Sequence, residues 1–152
     1  MKKIAIGSDM KANVPESVVK LLEKKGYQVD LFGALDPEAE THDWPKVGIE
    51  VAQLVGMGVY PSAILFCWTG TGICMAANKV AGIRAALCQD AQTAAGARKW
   101  NDANILCMSI RATTEAIAEE MIDAWESHVP SDSIENQRCL KFLADWEHHH
   151  KA

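Results

Sequence analysis

The stretch that decides the fold lies at residues 63–79, AILFCWTGTGICMAANK. An apolar run ends at Cys67, and a loop containing Gly70 and Gly72 follows before the pattern becomes helical. This order of strand, glycine loop and helix is typical of open α/β sheets, which bind ligands at the carboxyl ends of their strands. Glycines let the backbone approach an anion, and a helix start presents free N–H groups to it. The stretch therefore predicts an anion site with a thiol beside it.

Strand and helix patterns alternate along the rest of the chain. We expect strands at 4–8, 28–32, 63–67, 83–88 and 105–109, and helices at 15–25, 45–57, 73–79, 91–100, 115–127 and 135–149. Such alternation forms βαβ units with right-handed crossovers, and so a parallel sheet covered on both faces. Because we find no internal repeat and no linker, residues 1–152 are expected to form a single domain.

Composition disfavours several classes of function. The net charge of −5 offers no electrostatic case for a nucleic-acid partner or an anionic membrane. No apolar stretch is long enough to cross a bilayer, and the run after the first residues is too short for a signal peptide. Five cysteines without a CxxC motif favour a reduced, cytoplasmic protein. The histidine tract at 148–150 makes a poor preformed metal site, so no metal is expected.

Several polar residues are candidates for the site, each with a simpler structural explanation. Cys67 could be a small buried hydrophobe, but a strand end before a helix start favours the thiolate and hence function. Asp9 ends the first strand pattern and is either a turn or cap residue or a polar group at the same edge. Arg111 and Arg138 are candidate anion clamps, although a single arginine is usually a solvated surface residue. Asn101 belongs to an Asn-Asp-Ala-Asn run that is also typical of a turn.

Taken together, these segments resemble the type B ribose-5-phosphate isomerases and the galactose-6-phosphate isomerase subunits. The resemblance runs nearly end to end and rests on IAIGSD at 4–9, ILFCWTGTGICMAANK at 64–79, AGIRAALCQD at 81–90, NDAN at 101–104, and Arg111. It implies an α/β fold, a Rossmann-like three-layer α/β/α sandwich with about five parallel strands. It also implies a C-terminal helix used in dimerisation.

The resemblance implies an aldose–ketose isomerase that acts on small sugar phosphates through a cis-enediolate, without metal or cofactor. Cys67 would be the base that moves a proton between carbons one and two, and Thr69 would assist proton transfer at the substrate oxygens. Backbone N–H groups of Gly70, Thr71 and Gly72 would form the anion hole for the enediolate.

Further contacts implied by the resemblance bind the substrate. Asp9 would hydrogen-bond sugar hydroxyls, Asn101 would line the site, and Arg111 and Arg138 would bind phosphate. In the family the site lies at a subunit interface. The expected assembly is therefore a homodimer or homotetramer in which the partner supplies some of these groups.

Five positions depart from the family's pattern, and four of them are expected to line the substrate pocket. Histidines are replaced by Met10 and Trp100, a tyrosine by Trp44, the glycine after the cysteine by Trp68, and an arginine of the phosphate clamp by Ile134. The missing histidines are linked to ring opening and phosphate contact. We therefore predict a preference for an open-chain substrate, such as a tetrose or tetrulose 4-phosphate, over ribose 5-phosphate.

Other interpretations stay open at this point. Because the phosphate clamp has lost one arginine, the chain also suits an unphosphorylated or carboxylated ketose as substrate. The lost histidines also suit a non-catalytic family member, either a sugar-phosphate sensor or a partner subunit. A thiol redox protein is a weaker hypothesis, because the chain has no CxxC motif. Trp68 adds a separate question, since it stands where glycine normally supplies the backbone geometry.

Overall fold

A computed structural model describes residues 1–150 of the chain. Its elements are β1 (Lys2–Ser8), α1 (Asn13–Lys24), β2 (Tyr27–Gly33), α2 (Trp44–Gly56), β3 (Ala63–Cys67), α3 (Thr71–Ala77), β4 (Ala85–Leu87), α4 (Ala91–Asn101), β5 (Ile105–Ser109), α5 (Glu115–Glu126) and α6 (Ile134–His150). The five strands pair in parallel in the order β2-β1-β3-β5-β4. The predicted α/β architecture is confirmed.

Helices cover both faces of the sheet and create two apolar cores. Phe66 and Leu106 point to one face and pack with side chains of α1, α4 and α5. Leu65 and Cys107 point to the other face and pack with α2 and α3. All five residues of the central strand β3 are buried, as expected for a parallel strand covered on both sides. The central strand thus provides a rigid support for the loop that follows Cys67.

Helix α6 lies outside this three-layer body. Asn136 is its one buried residue, whereas Ile134, Phe142 and Trp146 are 85%, 71% and 56% exposed. The helix is attached near its end by the carboxylate of Glu147, which accepts a hydrogen bond from the Gly82 N–H at 2.8 Å. Among residues 1–150, neither α6 nor any other helix is long and apolar enough to span a membrane. An apolar helix surface therefore remains uncovered within one chain.

Predicted and observed element boundaries agree within two residues, and two of the differences have a clear structural cause. The fourth strand was predicted over 83–88 but spans only Ala85–Leu87. Ile83 belongs to the preceding turn because its N–H donates to the Val80 carbonyl at 3.3 Å, and β4 is an edge strand paired on one side only. Helix α3 begins at Thr71, two residues earlier than predicted, because Gly70 takes φ +76° and starts the helix there.

Candidate active site

Three neighbouring strands bring Asp9, Cys67 and Arg111 to the carboxyl edge of the sheet. Cys67 ends the central strand β3 and is 4% exposed. The Asp9 N–H, just after β1, donates to the Phe66 carbonyl at 3.3 Å. The Arg111 N–H, just after β5, donates to the Trp68 carbonyl at 2.9 Å. These three candidates therefore lie at one edge, and the Cys67 side chain is buried on the face of the sheet that α2 and α3 cover.

The loop after Cys67 is fixed by a glycine that no other residue could replace without strain. The Gly70 N–H donates to the Cys67 carbonyl at 3.2 Å, and Gly70 has φ +76°. A Cβ at Gly70 would lie 2.6 Å from Leu87 Cδ1 and 2.9 Å from the Met108 carbonyl carbon. The first N–H groups of a helix lack partners within the helix. The start of α3 therefore offers N–H donors to an anion from a loop that is held against the sheet.

Two hydroxyl groups flank Gly70. The Oγ1 atoms of Thr69 and Thr71 lie 2.7 Å apart, and either one could be the donor. Both threonines are exposed at the carboxyl edge. From the sequence only the backbone N–H of Thr71 was a candidate, and the paired hydroxyl was not predicted.

Asp9 has a buried carboxylate oxygen with no partner. Its Oδ1 is buried and makes no hydrogen bond among the described residues. Burial raises the pKa of the Asp9 carboxyl, and a backbone hydrogen bond offsets part of that effect. An unsatisfied buried polar atom costs about 1–3 kcal/mol, more when it is charged. A ligand hydroxyl that donates to Oδ1 would remove this cost, which suits a sugar.

The large side chains near this edge have different surroundings. Met10, Trp44 and Trp68 are 37%, 42% and 53% exposed. The Trp44 indole lies against Gly72, where an added Cβ would be 3.1 Å from the ring. Asp102 is the one non-glycine residue with positive φ in the described part of the chain, so Trp68 needs no left-handed backbone. The expected conflict between Trp68 and the loop geometry is therefore absent.

Trp100 and Asn101 lie at the opposite edge of the sheet from Cys67. They end α4 directly before β5, and so they sit at the amino ends of the parallel strands. The Trp100 ring folds back on its own helix, where a Cβ at Gly96 would be 2.9 Å away. A five-residue strand is roughly 16 Å long. Within one chain, these two residues are therefore separated from the thiol by about the length of β5.

Arg138 lies near this second group, on α6. The turn before α6 is tied to the end of α4, because the Ser131 N–H donates to the Lys99 carbonyl at 2.8 Å. The Asn136 side-chain amide also donates to that carbonyl, at 3.4 Å. Arg138 follows within the same turn of the helix and is exposed. The predicted site residues thus fall into two groups at opposite edges.

Most of the Asn-Asp-Ala-Asn run has a structural role. Asp102 adopts φ +45° at the end of α4, and its carboxylate pairs with Arg84 and Arg98 at 3.3 Å each. Asn104 Oδ1 accepts the Arg84 N–H at 2.8 Å. Asn101 is exposed and lines a groove of about 760 Å³ between α6 and the region around β4. Of the two asparagines, Asn101 is thus the one available to a ligand or a partner.

Two further side chains shape the site without having been singled out from the sequence. Ser109 Oγ donates to the Trp68 carbonyl at 3.0 Å and accepts the Ala112 N–H at 3.0 Å. Asn78 makes two 2.9 Å hydrogen bonds to the backbone of Ala85, one through each side-chain atom. Ser109 fixes the loop that carries Arg111, and Asn78 ties the end of α3 to β4. The sequence feature that could have identified Ser109 is a polar residue at the end of an apolar strand pattern.

The other buried thiols form a cluster beside α3. A hydrogen bond to Cys74 and burial raise the pKa of Cys107 well above its usual range, and the same hydrogen bond lowers that of Cys74. Burial raises the pKa of Cys88 to about 12. Cys74 Sγ also donates to the Ala85 carbonyl at 3.4 Å. These contacts give Cys74 a structural role between α3 and its neighbouring strands.

Comparison with known proteins gives a consistent assignment. The sequence profile of the Ribose/Galactose Isomerase family matches residues 4–142. D-erythrulose-4-phosphate isomerase of Pectobacterium atrosepticum is 38% identical over 126 residues, 82% of each protein. Ribose-5-phosphate isomerase B of Escherichia coli is 37% identical over 82% of this chain and 83% of that protein. The solved ribose-5-phosphate isomerase B of Clostridium thermocellum has a TM-score of 0.88 at 34% identity, covering 98% of this chain and 99% of that one.

Fold and relatives together define an α/β enzyme of the isomerase class. The chain belongs to the ribose/galactose isomerase family. The resemblance found in the sequence is thereby confirmed, as is the expectation of an enzyme.

Proposed function

We propose that the protein interconverts an aldose and a ketose phosphate of four carbons, a tetrose and a tetrulose 4-phosphate. The single observation that carries this proposal is the composition of the carboxyl edge. A buried thiol, Cys67, stands beside an N–H-rich loop, while position 10 at that edge holds methionine instead of the family's histidine. The thiol and the loop supply a base and an anion site for moving a proton between two carbons, whereas Met10 offers no group for opening a sugar ring.

The first step is proton abstraction from the carbon next to the carbonyl. Cys67 acts as the base, and the electron pair moves onto the carbonyl oxygen to give the enediolate. The N–H groups at the start of α3, from Thr71 onward, stabilise this oxyanion, because they already point to the place where the negative charge develops. The thiol then returns the proton to the neighbouring carbon. Thr69 assists the accompanying proton transfer between the substrate oxygens.

Substrate contacts follow from the same edge. The unpartnered Oδ1 of Asp9 accepts a hydrogen bond from a sugar hydroxyl. Arg111, exposed at the rim, binds the phosphate, because its planar guanidinium can donate two hydrogen bonds to one anion. Trp44 and Trp68 border the entrance and narrow the space for a longer sugar.

The preference for four carbons rests on ring chemistry. A tetrose 4-phosphate cannot close the usual furanose ring because its O4 is esterified, and so it reaches the enzyme in open-chain form. Ribose 5-phosphate is mainly a furanose and must be opened first. Met10 and Trp100 cannot exchange protons at neutral pH as histidines would. The erythrulose-4-phosphate isomerase among the relatives supports this choice.

We further propose that the complete site needs a second copy of the chain. Trp100, Asn101 and Arg138 lie at the edge opposite Cys67, so a partner's copies of these residues would have to complete the site. The exposed apolar residues of α6 and the groove beside Asn101 favour a homodimer built with this helix. A homotetramer would repeat the same contact.

The test is solvent deuterium incorporation and product formation, followed by proton NMR. The panel contains erythrulose 4-phosphate, ribulose 5-phosphate and unphosphorylated erythrulose, each with native protein, Cys67→Ala and the control Cys139→Ala, which alters an exposed thiol. We expect turnover of erythrulose 4-phosphate that is lost in Cys67→Ala and retained in Cys139→Ala. Turnover by Cys67→Ala would overturn the role of the thiol. A preference for erythrulose would favour a non-phosphorylated substrate, and no exchange with any sugar would favour a sensor or partner subunit.

A further inference from the structure

We infer that Thr71 is a catalytic residue whose hydroxyl pairs with that of Thr69, forming a relay that carries a proton between the two substrate oxygens. This inference rests on the proposed function and deepens it. The pairing of the two hydroxyls at 2.7 Å is the observation behind it.

The geometry of the pair is set by the backbone between the two threonines. An oxygen–oxygen distance of 2.7 Å is typical of a well-formed O–H···O hydrogen bond. Gly70 joins the two residues in a left-handed conformation, and it is held in contact with Leu87 and Met108. Both hydroxyls are exposed at the same edge as Cys67. The loop backbone therefore brings the two side chains together, and their rotamers place the two oxygens at this distance.

A pair of hydroxyls can accept and donate at the same time. Each hydroxyl has one proton to donate and two lone pairs. When one threonine donates to the other, the first still accepts through its oxygen and the second still has its own proton to give. Hydrogen bonds in such a chain polarise and strengthen one another. Since either oxygen can be the donor, the relay can run in both directions, as a reversible isomerase requires.

The proton balance of the relay closes without any additional reactant. Starting from the aldose, removal of the carbon-bound proton by Cys67 leaves O1 negative and O2 protonated. The O2 proton passes to the nearer threonine oxygen, the proton of that threonine passes to the other threonine, and the proton of the second threonine passes to O1. O2 then becomes the carbonyl oxygen as the Cys67 thiol returns its proton to carbon one. Both threonines end with one proton each, and nothing is oxidised or reduced.

This relay also takes the place of the two histidines that the family has and this chain lacks. Met10 and Trp100 replace the two histidines of the family pattern, and neither side chain can shuttle a proton at neutral pH. The second hydroxyl at Thr71 supplies a proton-transfer group close to the thiol. It does so without introducing a charge beside the anion site.

The experiment separates carbon exchange from isomerisation in Thr71→Val and Thr71→Ser, with Thr93→Val as the matched control on the exposed first turn of α4. Without the relay, the enediolate takes a deuteron from the thiol at the carbon that lost the proton. The starting sugar is then re-formed in deuterated form, and no isomer is produced. With erythrulose 4-phosphate we expect Thr71→Val to keep carbon exchange within about twofold, while isomerisation falls by about tenfold or more. Thr71→Ser should restore isomerisation, and Thr93→Val should leave both rates unchanged.

A proton inventory provides a readout that a merely structural role would not alter. Isomerisation rates measured in mixtures of H₂O and D₂O should curve downward for the native protein and Thr71→Ser, because several protons move together, and should be linear for Thr71→Val. Full isomerisation by Thr71→Val, or an equal loss of exchange and isomerisation, would overturn the relay. If Cys67 remains essential in that case, the proposed function still stands. Absence of any turnover by the native protein would overturn both.

Discussion

The indole of Trp44 occupies the space that a side chain at Gly72 would take, since a Cβ there would lie 3.1 Å from two ring atoms and 3.3 Å from a third. Trp44 begins α2, and Gly72 belongs to the first turn of α3, where we propose the anion hole. This contact joins the two helices at the site. The ring therefore supports the loop, in addition to its proposed place beside the substrate.

A double-mutant cycle tests that contact. Gly72→Ala should lower kcat by about tenfold in the native background, because the new methyl group must displace the ring and the loop with it. In a Trp44→Ala background the same change should have an effect of less than about twofold, because the nearest obstacle is gone. Steady-state kinetics of the four proteins measure the coupling. Additive effects of the two changes would show that Trp44 does not support the loop.

The buried carboxylate of Asp9 should lower the stability of the folded protein at neutral pH while it serves substrate binding. Since burial raises the pKa of its carboxyl, the folded protein binds that proton more tightly than the unfolded chain does. The corresponding stabilisation is complete below the unfolded pKa of about 3.9 and is lost as the pH rises through the folded pKa. Asp9→Asn cannot ionise, so it should have a higher Tm than the native protein at pH 7 and a similar Tm near pH ~3.

The same variant should lose most of its turnover, because an amide oxygen is a weaker acceptor for the sugar hydroxyl than a carboxylate. Asp132→Asn, at an exposed carboxylate, is the control and should change neither Tm nor turnover. A Tm for Asp9→Asn at pH 7 at or below that of the native protein would contradict the account of Asp9.

The thiols should differ sharply in reactivity. Cys139 is exposed within one chain and should react with an aromatic disulfide reagent before the buried thiols, more slowly where a partner covers α6; Cys139→Ala abolishes this reaction. Cys88, with a pKa raised to about 12 by burial, is thiolate in only about one molecule in ten thousand at pH 8. Buried Cys107 should be protected in the same way. Mass spectrometry after timed labelling should find Cys88 and Cys107 modified only after unfolding. If these two thiols are labelled as fast as Cys139, burial does not protect them.

Two inactive variants should complement each other if the site is shared between copies. Cys67→Ala damages one edge of the sheet, and Arg138→Ala damages the group at the other edge. After mixed refolding, half of the dimers are mixed, and each of these has one intact composite site and one doubly damaged site. Activity should therefore recover to about a quarter of the native value. Activity should not recover when each variant is refolded alone. If activity does not recover in the mixture either, all site residues belong to one chain.

Much of the catalytic edge could be predicted from the sequence. Asp9, Cys67 and Arg111 each follow an apolar strand pattern, and the carboxyl ends of parallel strands must share an edge. The same reasoning could have placed Asn101 at the opposite edge, because it precedes a strand instead of following one. The pairing of Thr69 with Thr71 was not predictable, since it depends on side-chain rotation around a loop whose geometry is set by contacts of Gly70 with distant residues.

The tryptophans show another limit of sequence reasoning. Trp68 stands where the family pattern has glycine, yet its backbone does not require the left-handed region. Trp100 folds onto Gly96 four residues earlier, so its ring covers its own helix. Residue type alone could not distinguish these outcomes, because tertiary contacts decide both the backbone angle and the rotamer. The short β4 likewise reflects its position as an edge strand.

The central claim, an isomerase for open-chain tetrose phosphates, is tested most directly by the ratio of kcat/KM for erythrose 4-phosphate to kcat/KM for ribose 5-phosphate. Both values should be measured with the same preparation and compared with Cys67→Ala as the blank. We predict a ratio of at least about 100, which corresponds to about 2.7 kcal/mol of transition-state discrimination. A ratio of one or less would show that the missing histidines do not restrict the enzyme to open-chain substrates.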